Sequence, residues 1–373
     1  MNFSISTSVF ATAVGMTDRA INASSPQPSL RGIKIQAVND SLILTGSNAD
    51  ISIMKTLHSD EENNLTIVEE GTILIESKYL LDIVRKMDSS IMTIEVIDGA
   101  LTRFSGDRAV FKINGLNALD YPTIDFSKPG DTVTMPCSML KDIIEQTTFA
   151  TALKETRPVL TGVNFRLDDH ILRCTGTDSY RLAKKTFPFN VDGSFNVTIP
   201  SRTLNDVKAT MLDQGEEVIE ISLSDKKAQF NIEDMVLQTR LLDGTFPDVD
   251  RLIPSSFDYV LSINRNELIR SIDRTTFIRS DNMSINRLQC SENEVILTSK
   301  SQEIGESREN LDCTFKGNDL DISFSGNYVI DAARALRGEN ITVNFSGDMR
   351  PFVLKDEDDE SVIQLVLPLR TYN

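Results

Sequence analysis

Two histidines, four cysteines and one dense acidic run are the residues of this 373-residue chain whose types could do chemistry. His58 and His170 have no cysteine or histidine partner at metal-ligand spacing, so neither reads as a zinc ligand; each is expected on the surface or in a loop. Cys137, Cys174, Cys290 and Cys313 form no CxxC pair, which fits reduced structural thiols of a cytoplasmic protein. The acidic run 356–360 (DEDDE) offers oxygen ligands for Ca²⁺ but lacks the spacing and glycine of an EF-hand loop. It lies between two apolar stretches and is expected as a solvated hairpin turn. No phosphate-cradling glycine motif and no nucleophile elbow occurs. The expectation is no catalytic residue, no cofactor and no metal.

What must be positioned is therefore a surface rather than a reaction centre, and the chain builds it by repetition. Six short segments share one pattern, apolar at the first and third positions: Phe3-Ser-Ile5, Ile73-Leu-Ile75, Val133-Thr-Met135, Val197-Thr-Ile199, Leu261-Ser-Ile263 and Ile322-Ser-Phe324. In five of them the middle residue is Ser or Thr. Period-2 alternation predicts half-buried strands. Five residues after each segment comes another apolar residue (Phe10, Leu80, Leu140, Leu204, Leu268, Val329), and small or apolar residues follow it at three- and four-residue spacing, except for Lys208 in the fourth unit. That is one face of a helix. Ser77 and Ser201 are expected N-caps. The unit is strand, tight turn, amphipathic helix, and its anchors lie 70, 60, 64, 64 and 61 residues apart.

A second layer pairs the units. Pro28-Ser-Leu30-Arg-Gly32 recurs as Pro158-Val-Leu160-Thr-Gly162, and Tyr121-Pro122 is echoed by Phe246-Pro247. Three similar domains are expected, at 1–127, 128–253 and 254–373, with Pro-containing linkers near 125–130 and 251–254. Short alternating runs after each helix, such as 41–44, 163–165, 295–297 and 341–345, read as antiparallel meanders. The fold class is α+β: three similar domains, each of two strand–helix–meander units, with helices on one side and antiparallel sheets on the other.

The formal charge is −17, which by itself argues against a polyanionic partner. Its distribution says otherwise. The predicted helix windows 8–21, 77–88, 138–157, 201–213, 264–280 and 326–340 sum to +3 and the remainder to −20. A weakly positive, aromatic-poor helix layer suits loose contact with phosphate backbone rather than base reading. There is no apolar run of 18 residues and no basic-then-apolar leader, so neither a membrane span nor secretion is expected.

Thr156-Arg-Pro-Val-Leu-Thr-Gly162, Thr177-Asp-Ser-Tyr-Arg-Leu-Ala183, Asp243-Gly-Thr-Phe-Pro-Asp248 and the terminal Leu367-Pro-Leu-Arg370 are similar to motifs of the bacterial sliding clamps. These are the beta subunits of the replicative DNA polymerase, and the resemblance spans the chain. It implies a cytoplasmic, nucleoid-associated, non-enzymatic homodimer, a head-to-tail ring around duplex DNA without sequence preference or membrane contact. It also implies a groove for short linear peptides of the polymerase, clamp loader and repair proteins, at Arg157, Leu160, Thr177, Tyr180, Arg181, Leu182, Pro247, Arg251, Leu252, Leu365, Val366, Leu367, Pro368, Leu369 and Arg370. Across the dimer contact it sets Phe111 and Ile113 against Phe277 and Ile278. DNA-facing cations are expected at Arg19, Lys78, Lys86, Lys141, Lys154, Lys208, Arg270 and Arg274. The chain departs from the family at 22–28, which has no basic residue, and at Ser179 and Tyr180, where family members vary. A peptide-binding scaffold without DNA encirclement, or a DNA-processing hydrolase on the same repeats, is the alternative.

Overall fold

The structure, a computed structural model, describes residues 1–154, 156–211, 218–279 and 283–370. The first pair of repeats comprises β1 (Asn2–Ser6), α1 (Thr7–Asp18), β2 (Gly32–Val38), β3 (Ser41–Ser47), β4 (Ile51–His58), β5 (Thr66–Glu69), β6 (Gly71–Glu76), α2 (Ser77–Lys86), β7 (Ile91–Asp98), β8 (Leu101–Ser105) and β9 (Val110–Asn114). The second comprises β10 (Asp131–Pro136), α3 (Cys137–Thr147), β11 (Gly162–Asp168), β12 (Ile171–Thr177), β13 (Arg181–Pro188), β14 (Phe195–Pro200), α4 (Ser201–Thr210), β15 (Val218–Leu223), β16 (Lys227–Ile232) and β17 (Met235–Arg240). The third comprises β18 (Tyr259–Asn264), α5 (Arg265–Asp273), β19 (Ile285–Cys290), β20 (Val295–Ser301), β21 (Gly305–Asn310), β22 (Cys313–Lys316), β23 (Leu320–Ser325), α6 (Gly326–Arg334), β24 (Asn340–Phe345), β25 (Phe352–Asp356) and β26 (Val362–Val366).

The six predicted strands are β1, β6, β10, β14, β18 and β23, and each runs directly into its helix. The helices stop short of their predicted windows. After α1 the chain turns through Arg19 N–H to Met16 C=O and Ala20 N–H to Thr17 C=O, three-residue bonds that satisfy terminal carbonyls. The expected caps also move. Glu76 is the cap of α2, and Ser77 is its first helical residue, donating its hydroxyl to Asp18. Ser201 likewise opens α4 and donates to the carbonyl of Thr161. The helices proper hold nine basic and eight acidic residues, a net +1 instead of the expected +3. Arg19, Lys154, Arg157, Arg274 and Arg337 sit in the turns beyond them.

Contacts divide the chain into two compact units, 1–138 with 206–241 and 139–205 with 242–373. In the first, an eight-stranded sheet runs β10-β15-β16-β17-β4-β3-β2-β6 and a five-stranded sheet β5-β1-β7-β8-β9. In the second, a nine-stranded sheet runs β14-β11-β12-β13-β26-β25-β24-β18-β22 and a four-stranded sheet β21-β20-β19-β23. The leading strand of each repeat does not pair with its own meander: β1 joins β7 and β6 joins β2, so the two repeats of a pair exchange strands.

The sheets also cross the borders between pairs. β17 lies antiparallel to β4 with Leu237 opposite Ile53, and β26 lies antiparallel to β13 with Gln364 opposite Ala183. Each joint uses the third meander strand of a first repeat and that of a second repeat. Beneath the sheets, α1 and α2 bury Phe10, Ala13, Val14, Leu80, Ile83 and Val84 with Phe3, Phe104 and Leu44. In the other unit α5 and α6 bury Leu268, Ile272, Val329 and Ile330 with Phe345 and Phe352. No helix is long and apolar enough to cross a membrane among the described residues.

Candidate functional site

Most of the expected groove positions fall on β12, β13 and the turn between them, β26, the C-terminal tail and the segment 241–258, which straps one face of the nine-stranded sheet. Period-2 geometry puts Leu182 of β13 and its partner Leu365 of β26 on one face. There they pack with Val249 and Val353, and Phe246, Ile253, Phe257, Ile363 and Leu367 close over them. The strap begins with Leu242 N–H donating to Thr198 C=O at 2.9 Å and ends with Asp258 N–H donating to Phe345 C=O at 3.0 Å. Between these ends Pro247 is half-buried, Leu252 is 52% exposed, and Arg251 projects to solvent beside Asp248. The tail extends the pairing: Leu367 N–H donates to Tyr180 C=O at 3.0 Å and Leu369 N–H to Ser323 C=O at 2.7 Å. Pro368 and Leu369 are half-buried and Arg370 is exposed.

The turn before β13 is strained. Ser179 holds φ +78°, a left-handed conformation uncommon outside glycine. Asp178 stabilises it by accepting the backbone N–H groups of Tyr180 and Arg181, and Thr177 donates its hydroxyl to Arg181 C=O at 2.6 Å. The result leaves Tyr180 60% exposed.

Several expected positions have other surroundings than the Leu182–Leu365 cluster. Val366 is the residue after Leu365 on a strand, so it faces the opposite way and is buried in the core of the third pair. Leu160 is buried in the 3-10 turn 158–161, outside the Leu182 cluster, while Arg157 caps that turn and is exposed. Arg181 offers no free charge. Its guanidinium donates to Asp178 at 3.0 Å and Asp331 at 2.7 Å, and lies over the Tyr328 ring at 4.5 Å and the Phe149 ring at 5.4 Å. It clamps β13 to α6. Sequence reasoning missed Asp331, Tyr328 and Phe149, for which no local pattern exists. It also missed Lys184, which period-2 counting from Leu182 places on the same face of β13.

The expected apolar contact splits. Phe111 and Ile113 lie half-buried on one face of β9, which ends the five-stranded sheet. Phe277 is 65% exposed, but Ile278 is 3% exposed and belongs to the interior. The eight expected DNA-facing cations all sit on helices or in the turns leaving them. Several have partners: Arg19 with Asp206 at 3.4 Å, Lys86 with Asp82 at 3.4 Å, and Arg274 with Glu309 through two guanidinium nitrogens. Lys78 lies over the Tyr79 ring, and Lys154 and Arg270 are exposed. Lys141 and Lys208 are half-buried.

The remaining chemistry-bearing residues are structural. His58 ends β4, with its ring between Ser41 and Asp234. His170 sits in the β11–β12 turn against Val191 C=O. None of the four cysteines is in a disulfide, and burial pushes the Cys290 thiol up to about 12 and the Cys313 thiol to about 11. The acidic run is a hairpin turn, yet less solvated than expected. Asp356 is buried and accepts the backbone N–H groups of Arg337 and Gly338, and Asp359 accepts from Lys185 at 3.0 Å. Among the described residues no group of three His, Cys, Asp or Glu side chains could hold a metal ion.

With this geometry in place, the comparisons are decisive. Family models for the DNA polymerase III beta subunit match residues 1–125 (N-terminal domain), 134–248 (central domain) and 250–370 (C-terminal domain). The chain belongs to the DNA polymerase III beta subunit family. Its function is that of a DNA sliding clamp. The Beta sliding clamp of Bacillus subtilis is 35% identical over 379 aligned positions, covering 100% of both chains, and that of Staphylococcus aureus is 35% identical with the same coverage. The crystal structure of the Bacillus subtilis DNA polymerase sliding clamp aligns with TM-score 0.93 at 34% identity over 100% of both chains. That of the Streptococcus pneumoniae DNA polymerase III beta chain aligns with TM-score 0.94 at 32% identity, over 99% of this chain and 100% of that one. The clamp fold in this chain has three domains of antiparallel sheet and paired helices.

Proposed function

We propose that two copies of the chain join head to tail into a closed ring around duplex DNA. The ring catalyses no reaction. It tethers the replicative polymerase, clamp loader and repair proteins through apolar peptide anchors seated in the groove between Leu252, Tyr180 and the Leu367–Leu369 tail, and it works in the cytoplasm on the nucleoid. The three domains follow the repeat pairs, 1–127, 128–253 and 254–373.

The repeated joint carries this reading. Twice, at β4–β17 and at β13–β26, the third strand of a first repeat pairs with the third strand of a second repeat. The same two kinds of strand are left over as β21 and β9, each at the end of its sheet. An unpaired strand row is a template for another chain, and joining unlike edges of two copies is a heterologous contact that closes into a ring. Equivalent positions follow from the pairings inside each sheet. Leu237 is opposite Phe230 and Phe111 is opposite Phe104, whereas Ile53 is opposite Gly46 and Ser307 is opposite Ser299. A third joint in the same register sets Phe111 opposite Ser307 of the partner subunit and Lys112 opposite Glu306 of the partner subunit. A ring holds DNA by topology, so a helix layer near neutrality is sufficient, and strong phosphate contact would impede sliding.

The test is retention on DNA after loader-assisted loading. The ring is expected to stay on closed circular plasmid and to run off the ends once the circle is linearised. Equal loss from both forms overturns encirclement.

A further inference from the structure

Among the described residues, the strap that walls the groove is tied to the sheet by backbone hydrogen bonds only near its ends. Leu242 is bonded at one end, and Ser256 C=O and Asp258 N–H at the other, with Ser346 donating to Ser256 at 2.8 Å. Leu252 and Ile253 donate within the strap, to Val249 and Asp250 C=O. Across 243–255 one polar bond reaches from the strap to the sheet among the described residues: Lys184 Nζ to Asp250 Oδ1, at 2.5 Å. Lys184 follows Leu182 by two residues on β13, so it emerges on the groove face, between Thr175 of β12 and Ile363 of β26. Its side chain is 13% exposed while that of Asp250 is 58% exposed. A nearly buried ammonium needs its partner, and that partner lies next to Arg251 and Leu252 in the 3-10 turn 250–252. Asp248 completes the turn by accepting Asp250 N–H and forming an ion pair with the Arg251 guanidinium.

We propose that Lys184 and Asp250 form a pin that holds the 247–252 wall at its distance from the Leu182–Leu365 floor and so sets peptide affinity. Lys184 is a positioning residue, since it acts through the strap. The inference rests on the groove being a peptide site. Apolar packing alone lets a strap slide across a smooth floor. A single charged bond at its midpoint fixes the register, and its charges are opposed across a site that peptide binding desolvates further.

The experiment uses the full-length dimer. The probe is a fluorescein-labelled synthetic peptide with two leucines and one phenylalanine in an extended polar frame. Lys184→Met and Asp250→Asn are each expected to weaken binding roughly tenfold, the scale of one hydrogen bond to a charged group. The reversed pair Lys184→Asp with Asp250→Lys is expected to recover most of that loss. In the absence of peptide, hydrogen exchange at the Leu252 and Ile253 amides is expected to rise in both single variants and fall back in the reversed pair. A variant lacking residues 369 and 370 serves as the control for the site. If that deletion abolishes binding while both single variants bind and exchange as the parent does, the pin is overturned and the groove stands. If the deletion leaves binding unchanged, or the parent does not bind the probe, the groove reading fails and the proposal with it.

Discussion

At the scale of single residues, several charges in this clamp hold elements together. Arg181 is the clearest case. Two carboxylates and two aromatic rings surround a guanidinium whose side chain is 11% exposed. Arg181→Met leaves Asp178 and Asp331 without their cation and is expected to destabilise the chain by about 3 kcal/mol, the scale for breaking a buried pair. The urea midpoint measures it; a midpoint unchanged from the parent would show that the pair contributes nothing. Glu309 offers a pH test. Hydrogen bonds from Arg274 and Ser271 hold its carboxyl below the ordinary carboxylate value. The bonded carboxylate therefore stabilises the fold above the unfolded carboxylate range, and this contribution is lost as pH falls through the lowered folded value. The stability gap between the parent and Glu309→Gln is expected to be open at neutral pH and to close below about pH 4. A gap that persists in acid contradicts it. Arg181 and Asp178 stand in one motif, but the second carboxylate could not be read from it, because Asp331 lies 150 positions away and no local spacing announces such a contact.

At the scale of elements, the repeat is legible because each unit solves the same local problem. A half-buried strand needs period two, a helix on its inner face needs period 3.6, and both patterns are printed in six places. The close approach of helix to sheet is also encoded. An added Cβ on Gly176 of β12 would stand 2.4 Å from Thr147 C=O at the end of α3, and one on Gly46 of β3 would stand 2.6 Å from Thr17 C=O at the end of α1. In the third pair that place is Ser299, buried and donating to Ile285 C=O at 2.9 Å. Gly176→Ala is expected to cost about 1–3 kcal/mol by overpacking against backbone. Ser299→Ala is expected to cost about 1 kcal/mol, the loss of one hydrogen bond. Thermal unfolding of the two variants distinguishes them, and equal midpoints would refute the close-approach account. The helix ends were less legible than their starts: α3 passes into a 3-10 turn and α1 into three-residue bonds, and neither leaves a residue type that stops the pattern.

At the scale of the molecule, the two internal joints foretell the third. Lys112→Glu and Glu306→Lys are each expected to weaken dimerisation by roughly tenfold, since each sets like charges directly opposite in the proposed register. Together they are expected to restore a mass near twice 41.6 kDa in sedimentation. A double variant no tighter than either single one would refute the register. The first joint also shows why one groove per chain is expected. Where the second joint has Leu182, Leu365 and Val353, the first has Ser52, Gln238 and Gln229, all buried and polar. An apolar anchor has no floor to bury against there.

The amino-acid pattern by itself determined the six strand–helix units, their pairing into three domains, the absence of a motif for catalysis and the four segments that identify the family. Each unit and motif depends on neighbours within about a dozen residues, where periodicity and turn chemistry act, and their recurrence along the chain shows the pairing. Tertiary structure alone decided that paired repeats exchange their leading strands, that sheets cross the domain borders at β4–β17 and β13–β26, and that Val366 and Ile278 face inward. It alone decided, too, that Lys184 meets Asp250. Those outcomes turn on which strand edge and which buried charge find a partner, and pairing across a hundred residues is chosen by the whole fold's need to satisfy backbone bonds and bury apolar faces together.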